Sequence, residues 1–294
     1  MIFMEKRILE ISSLSVKYGE DTALDIRNNL CINQGDVVGV IGENGAGKST
    51  LVNAILGEIK YQGEIVRNFE FEDVGVQFQE NNYNIYLKVE ELIKIVTGYS
   101  AKSKELAEVL KQFELTNLLK KKIGVLSGGE KQRLTMFLVL YLKPKVLFLD
   151  ELTTGLDYKK REQILSILKD YAKNKTIFSV THYFDELNNF ANKIIILHKG
   201  KCLYCGLISD LEKKIDYYRV VKIKNNLENN MDSELKIIKR DDNYIYIVTN
   251  NETEHKIAVK NLEDSNAEYE VMAKNLYSLY MMALYIGNGG ENNA

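Results

Sequence analysis

Eight consecutive residues, Gly42-Glu43-Asn44-Gly45-Ala46-Gly47-Lys48-Ser49, fit the pattern G-x-x-x-x-G-K-[ST]. Glycines at this spacing let main-chain N–H groups close around phosphate oxygens, because no Cβ stands in the way. A helix starting near Ser49 adds its positive dipole end to the same anion. The Lys48 ammonium can reach the β- and γ-phosphates of a triphosphate as a point charge, and the Ser49 hydroxyl is placed to ligate Mg²⁺. The residues expected to line this cradle are Gly42, Asn44, Gly45, Ala46, Gly47, Lys48, Ser49 and Thr50.

Val146-Leu147-Phe148-Leu149-Asp150-Glu151 delivers two acids at the end of an apolar run. In open α/β sheets that strand end is where ligands bind. Asp150 would hold Mg²⁺ through water, and Glu151 would face an attacking water as general base or orienter, help that is typically worth about 10²–10⁴ in rate. Alone, the same pattern also describes an acidic strand end in solvent; the Lys48 loop upstream favours the chemical reading.

Leu126-Ser127-Gly128-Gly129-Glu130-Lys131-Gln132-Arg133 is a third candidate. Ser127, Gly128 and Gly129 ahead of a helix offer a hydroxyl and unpaired N–H groups, a second anion site. Ser127 is equally an N-cap residue with Glu130 completing a capping box. The two readings are compatible. One triphosphate, however, does not need two phosphate cradles on one chain.

The elements that would position these residues alternate. Val37–Ile41 is a short β-branched run of the kind buried on both sheet faces, and a glycine loop and a helix over 49–56 follow it, the context that a phosphate loop requires. Strands are expected at 7–16, from the Tyr18-Gly19 turn to near 32, and at 71–78, 145–150, 176–180 and 193–197. Helices are expected at 89–96, 104–113, 130–141, 159–172 and 184–191. Such alternation argues for a mainly parallel sheet covered by helices. Beyond about Asp216 the pattern changes to alternating runs at 217–224, 234–240 and 244–249, with a hairpin turn at Arg240-Asp241-Asp242-Asn243 and a helix over 276–286. The expected organisation is a unit over 1–215 with a helical part at about 85–140, a small α+β unit over 216–286, and a disordered Gly/Asn-rich tail over 287–294.

Composition narrows the functional classes. The 294 residues are 45% hydrophobic and 27% charged, and the net charge of −2 gives a nucleic-acid partner no electrostatic support. Cys31, Cys202 and Cys205 make no disulfide framework, and the Cys202–Cys205 spacing lies in a strand-like stretch, so a structural role is expected. No run approaches the about 20 apolar residues of a membrane span, and the N-terminus has no apolar core of signal-peptide type. An intracellular chain is expected, reaching a membrane only through a partner.

The Lys48 loop, the Leu-Ser-Gly-Gly-Glu stretch and the Asp150-Glu151 strand, in this order, resemble an ABC-type ATPase over roughly residues 8–211. The resemblance implies a P-loop fold of ABC type, ATP and Mg²⁺ as ligands, and two subunits paired head to tail, as homodimer or heterodimer. Ser127, Gly128, Gly129 and Glu130 of one subunit would then cap the γ-phosphate held by the Lys48 loop of the other, which resolves the surplus of cradles. It also implies that Tyr18 stacks on adenine, that Gln79 senses Mg²⁺ and the water (with Gln77 a nearby alternative), that His182 contacts the γ-phosphate and Glu151, and that Asp157 communicates across the dimer. Catalysis would fall to Glu151, His182 and Gln79, and Mg²⁺ to Ser49, Gln79 and Asp150.

Leu152 departs from the family, which usually has proline after the catalytic glutamate. The stretch between Gln79 and Ser127, where the family docks on its membrane partner, is short. The implied function is a transport ATPase at the inner face of the cell membrane, powering a separate permease. The β-rich appendage after residue 215, ending in Leu276-Tyr277-Ser278-Leu279-Tyr280, resembles the tail of bacterial export subunits, including those for drugs and antimicrobial peptides, so export is expected; an import subunit or a non-transport ABC ATPase is the alternative.

Overall fold

The computed structural model describes residues 6–78, 83–153, 156–173, 175–188, 190–225 and 236–289. In chain order the elements are β1 (Arg7–Tyr18), β2 (Asp21–Ile26), β3 (Leu30–Asn33), β4 (Val37–Ile41), α1 (Lys48–Leu56), β5 (Gln62–Arg67) and β6 (Val74–Gln77). Next come α2 (Val89–Thr97), α3 (Lys104–Gln112), α4 (Gly128–Tyr141), β7 (Val146–Asp150), α5 (Tyr158–Tyr171), β8 (Thr176–Val180), α6 (Phe184–Leu187), β9 (Lys193–His198), β10 (Lys201–Leu207) and α7 (Ile208–Lys214). The last are β11 (Arg219–Lys224), β12 (Lys236–Arg240), β13 (Tyr244–Thr249), α8 (Glu252–Asp264), β14 (Tyr269–Met272) and α9 (Leu276–Gly287).

The larger sheet runs β3-β1-β2-β10-β9-β4-β8-β7-β6, with β5 paired to β1. Its centre, β9-β4-β8-β7-β6, is parallel. These strands are continuous apolar runs because helices or strands cover both faces: every residue of β4 and β8 is buried. Phe148 and Phe178 stack across β7 and β8 at 4.6 Å. One face packs on α1 and the antiparallel β1–β3 layer, the other on α2 to α5. Leu187 of α6 reaches so close to β4 that a Cβ on Gly39 would stand 2.6 Å from its Cδ1, so a larger residue there would push the Leu187 side chain aside.

A second, antiparallel sheet runs β12-β13-β11-β14. α8 covers one face, while α9 covers the other and packs at the same time on β9 and α6.

The structure departs from the sequence reading in places. The strand expected at 71–78 begins with a 3-10 turn, Phe71–Asp73, and only Val74–Gln77 pairs. The extended stretch ending near Ile32 is interrupted between Ile26 and Leu30 into two strands, β2 and β3, which pair in succession along the same edge of β1, while β5 takes the other edge. The helix expected over 184–191 ends at Leu187, because Asn188 turns to ψ 128. β5, α7, α8 and β14 had no distinct sequence signal. Gly287 closes α9, and the expected tail beyond 289 lies outside the described residues.

Candidate functional site

The carboxyl ends of β4, β7 and β8 are neighbours, since β8 pairs with both of the others. The loop that leaves β4 turns into α1 through Gly47, at φ 100, a left-handed conformation suited to glycine. A Cβ there would also meet Leu24 Cδ1 at 2.9 Å and the Ala23 carbonyl at 3.0 Å. The loop thus bends tightly against β2. In front of it lies an 870 Å³ cleft lined by Gly42, Glu43, Asn44, Gly45, Gly47, Lys48, Ser49, Thr50, Asp150, Glu151, His182 and Ala23. Ala46 belongs to the same loop but is buried in the core behind it.

Lys48 Nζ donates to the carbonyls of Gly42, at 2.8 Å, and Glu43, at 3.0 Å. Burial lowers the Lys48 pKa, opposed by the charges of Glu151, Asp150 and Glu43. Burial raises the Asp150 pKa, Glu151 adds to the rise, and Lys48 opposes it. The cleft therefore concentrates partly desolvated charge of both signs. The Ser49 hydroxyl and the Asp150 carboxylate both line it, hard oxygen donors of the kind Mg²⁺ takes.

Glu151 adopts φ 48, and its N–H donates to Val180 O at 2.8 Å. That left-handed kink turns the chain off β7, and the carboxylate meets His182 Nδ1 at 3.1 Å. Leu152, in the position where the family has proline, is buried, and its carbonyl accepts from Gln132 Nε2 of α4. A side-chain bond thus holds the turn that a proline ring would otherwise stiffen.

A further group carried no sequence signal. Glu186, 5% exposed, accepts from the hydroxyls of Thr153 and Thr181, the latter at 3.1 Å. Arg161 lies 3.6 Å from the same carboxylate and stacks over the Tyr183 ring. Burial raises the Glu186 pKa, against the hydroxyls of Thr153 and Thr181 and the charges of Arg161 and His182. In the sequence Glu186 is one acid in a short, charged helix; only tertiary contact distinguishes it.

Other predicted residues stand outside the cleft. Ser127 caps α4: its Oγ accepts from Glu130 N at 3.3 Å, and Glu130 Oε2 accepts from Ser127 N at 2.8 Å. The capping-box reading is therefore correct. It still leaves Gly128 and Gly129 in a first turn whose N–H groups have no intrahelical acceptor. Gly129 adjoins Leu156, whose Cδ2 would lie 3.2 Å from an added Cβ. Asp157 caps α5, accepting from Lys160 N at 3.0 Å, and pairs with Lys160 Nζ at 2.8 Å. Tyr18, 55% exposed, ends β1. Gln79 lies outside the described residues, while Gln77 is buried and donates to Phe78 O at 2.6 Å.

Burial pushes the Cys202 thiol up to about 11 and the Cys205 thiol up to about 12, which keeps both as unreactive thiols. Among the described residues, no helix is long and apolar enough to cross a membrane.

A family model for ABC transporters matches residues 27–154. The energy-coupling factor transporter ATP-binding protein EcfA2 of Clostridium tetani is 30% identical over 242 residues, covering 71% of this chain and 82% of that protein. The high-affinity zinc uptake system ATP-binding protein ZnuC of Bacillus subtilis is 31% identical over 221 residues, covering 67% and 95%. Other curated relatives, a methionine import protein among them, are longer, and the chain spans 49% to 58% of their length. A solved ATP-binding subunit of an ABC transporter superposes with a TM-score of 0.62 at 24% identity, over 70% of this chain and 92% of that one.

Proposed function

Because the chain belongs to the ABC transporter ATP-binding proteins and is an ATP-binding subunit of such a transporter, we propose that it hydrolyses MgATP in the Lys48 cleft to power uptake through a separate permease. The expectation of export finds no support among the relatives, of which those whose names give a direction are a methionine import protein and a zinc uptake protein. The import alternative fits them better.

One observation carries the hydrolytic reading: Glu151 and His182 meet at 3.1 Å on the rim of a phosphate loop. Ser49 and Asp150, with Gln79, would hold Mg²⁺, which would supply positive charge to offset that of the phosphates. Lys48 neutralises the outer phosphates. Glu151 accepts a proton from, or orients, the attacking water, and His182 holds that carboxylate while reaching the γ-phosphate. Tyr18 supplies a ring face to adenine.

In this reading Ser127, Gly128, Gly129 and Glu130 complete the site of a facing subunit, and Asp157 links the two sites. ATP then joins two subunits, and loss of the γ-phosphate parts them. The dimer partner is a second copy or a related subunit; nucleic acid is not a partner. Residues 1–215 form the ATPase unit and 216–286 an appendage. The exposed Ile85, Tyr86 and Val125, around the helical part, would meet the permease at the inner membrane face. Phosphate release by the purified chain tests the reading: the parent should turn over, and Glu151→Gln should not.

A further inference from the structure

Glu151 sits in a left-handed backbone conformation, φ 48, which is costly for any residue with a side chain. Such strain persists only where the surroundings hold it from several sides. The described residues supply three such holds, each from a different element. The Glu151 N–H donates to Val180 O of β8 at 2.8 Å. The Leu152 carbonyl accepts from Gln132 Nε2 of α4. The Thr153 hydroxyl donates to Glu186 of α6.

The register of β7 and β8 accounts for the first hold, and the buried Glu186 for the third. The middle one answers to a feature of this sequence. A proline ring at position 152 would fix φ by itself, whereas Leu152 leaves it free. The peptide beyond Glu151 therefore takes its orientation from Gln132. Leu152 is 3% exposed, so its carbonyl has little water to turn to when the amide is lost. Helix α4 meets the same stretch a second time, at Gly129, where an added Cβ would lie 3.2 Å from Leu156 Cδ2. The helix is thus seated on the chain downstream of Glu151 and does not reach it through one side chain alone.

We propose that Gln132 is a positioning residue for Glu151: by holding the Leu152 carbonyl it keeps the left-handed turn in place and so aims the Glu151 carboxylate. The inference rests on the ATP reading above. Gln132 touches no nucleotide and acts only through the Leu152 peptide. Without its amide, Glu151 is free to leave the left-handed conformation, and the 3.1 Å contact with His182 opens. Gln132 stands one helical turn beyond Gly128, so the same bond joins the Ser127-Gly128-Gly129 cradle to the subunit's own Glu151.

The test measures steady-state ATP turnover of the full chain carrying Gln132→Leu or Gln132→Glu, each with Glu151 intact and with Glu151→Gln. Leucine removes the amide, while glutamate keeps its length and replaces the donor by an acceptor, so one variant gives the reading where the other fails to fold. With Glu151 intact, kcat should fall about tenfold, and KM for ATP should stay within about twofold of the parent. With Glu151→Gln, the residual turnover should not fall further, because a residue that acts through Glu151 then has nothing left to position. A kcat equal to the parent's in a folded variant overturns the inference and leaves the ATP reading intact. So does an equal fold-loss in both backgrounds, or a KM that rises as kcat falls, either of which marks general loosening of α4. Failure of both variants to fold overturns it as well, by assigning the bond to stability alone. A parent that hydrolyses no ATP overturns both readings.

Discussion

The Glu151 carboxylate and the His182 imidazole stand 3.1 Å apart, although 31 residues separate them in the chain. Each leaves a parallel strand at its carboxyl end, and the N–H of Glu151 is tied to the last residue of the neighbouring strand, Val180, at 2.8 Å. The pair is therefore set by strand register rather than by a loop, which favours a fixed orientation for proton handling.

Glu151→Gln should lower ATP turnover by about 10²–10⁴-fold, the usual worth of a positioned base or orienter. ATP binding should persist, since Lys48 and the loop are untouched. Phosphate release and analogue titration on the same sample separate the two effects. Turnover at the parent rate would remove Glu151 from its assigned role.

Glu186→Gln should reduce kcat about tenfold or more with KM nearly unchanged, since small misplacement of reacting groups is costly. Glu186 joins Thr153, two residues past Glu151, to Thr181, the neighbour of His182. Glutamine keeps an acceptor for the hydroxyls but loses the charge facing Arg161. A kcat equal to the parent's would show that Glu186 serves folding alone.

Much of this site was legible in the sequence, because phosphate binding is main-chain chemistry that glycine spacing encodes directly. Asp150 and Glu151 were legible because a five-residue apolar run has to end somewhere specific. Glu186 and Gln132 were not, since their partners are distant in sequence and each passes for an ordinary helical residue. The same holds for the fold. β4, β7 and β8 announce themselves as continuous apolar runs, whereas β5 and β14 are edge strands with half-exposed patterns. The end of α6 at Leu187 follows from the turn at Asn188, which periodicity did not reveal.

Asp150→Asn should raise the melting temperature of the nucleotide-free protein near neutral pH while abolishing turnover. Burial and Glu151 raise the Asp150 pKa, so the folded state holds its proton more tightly than the unfolded chain does. That makes stability fall as pH rises from the ordinary Asp value through the raised one, and the cost is fully present above it. The gain on substitution should shrink in acid, below both values. Melting curves at acid and neutral pH check the sign, and a gain confined to acid would contradict it.

Lys193→Met should destabilise the fold by about 3–5 kcal/mol, the cost of leaving one member of a buried ion pair alone. Lys193 Nζ and Asp36 Oδ2 lie 2.7 Å apart, and the Asp36 carboxylate also accepts from Asn192 Nδ2 at 2.9 Å and Asn33 N at 2.7 Å. The pair clasps the turn before β4 to the start of β9. Urea unfolding gives the value, and a loss under about 1 kcal/mol, the range of exposed pairs, would show that water reaches the pair.

The central claim is that two incomplete phosphate cradles on this chain become whole across a dimer. Sedimentation of Glu151→Gln with MgATP tests it most directly, against the same protein carrying Ser127→Arg as well. ATP should convert the single variant to dimer and leave the double variant monomeric with its nucleotide still bound. Equal dimerisation of the two proteins would contradict the account.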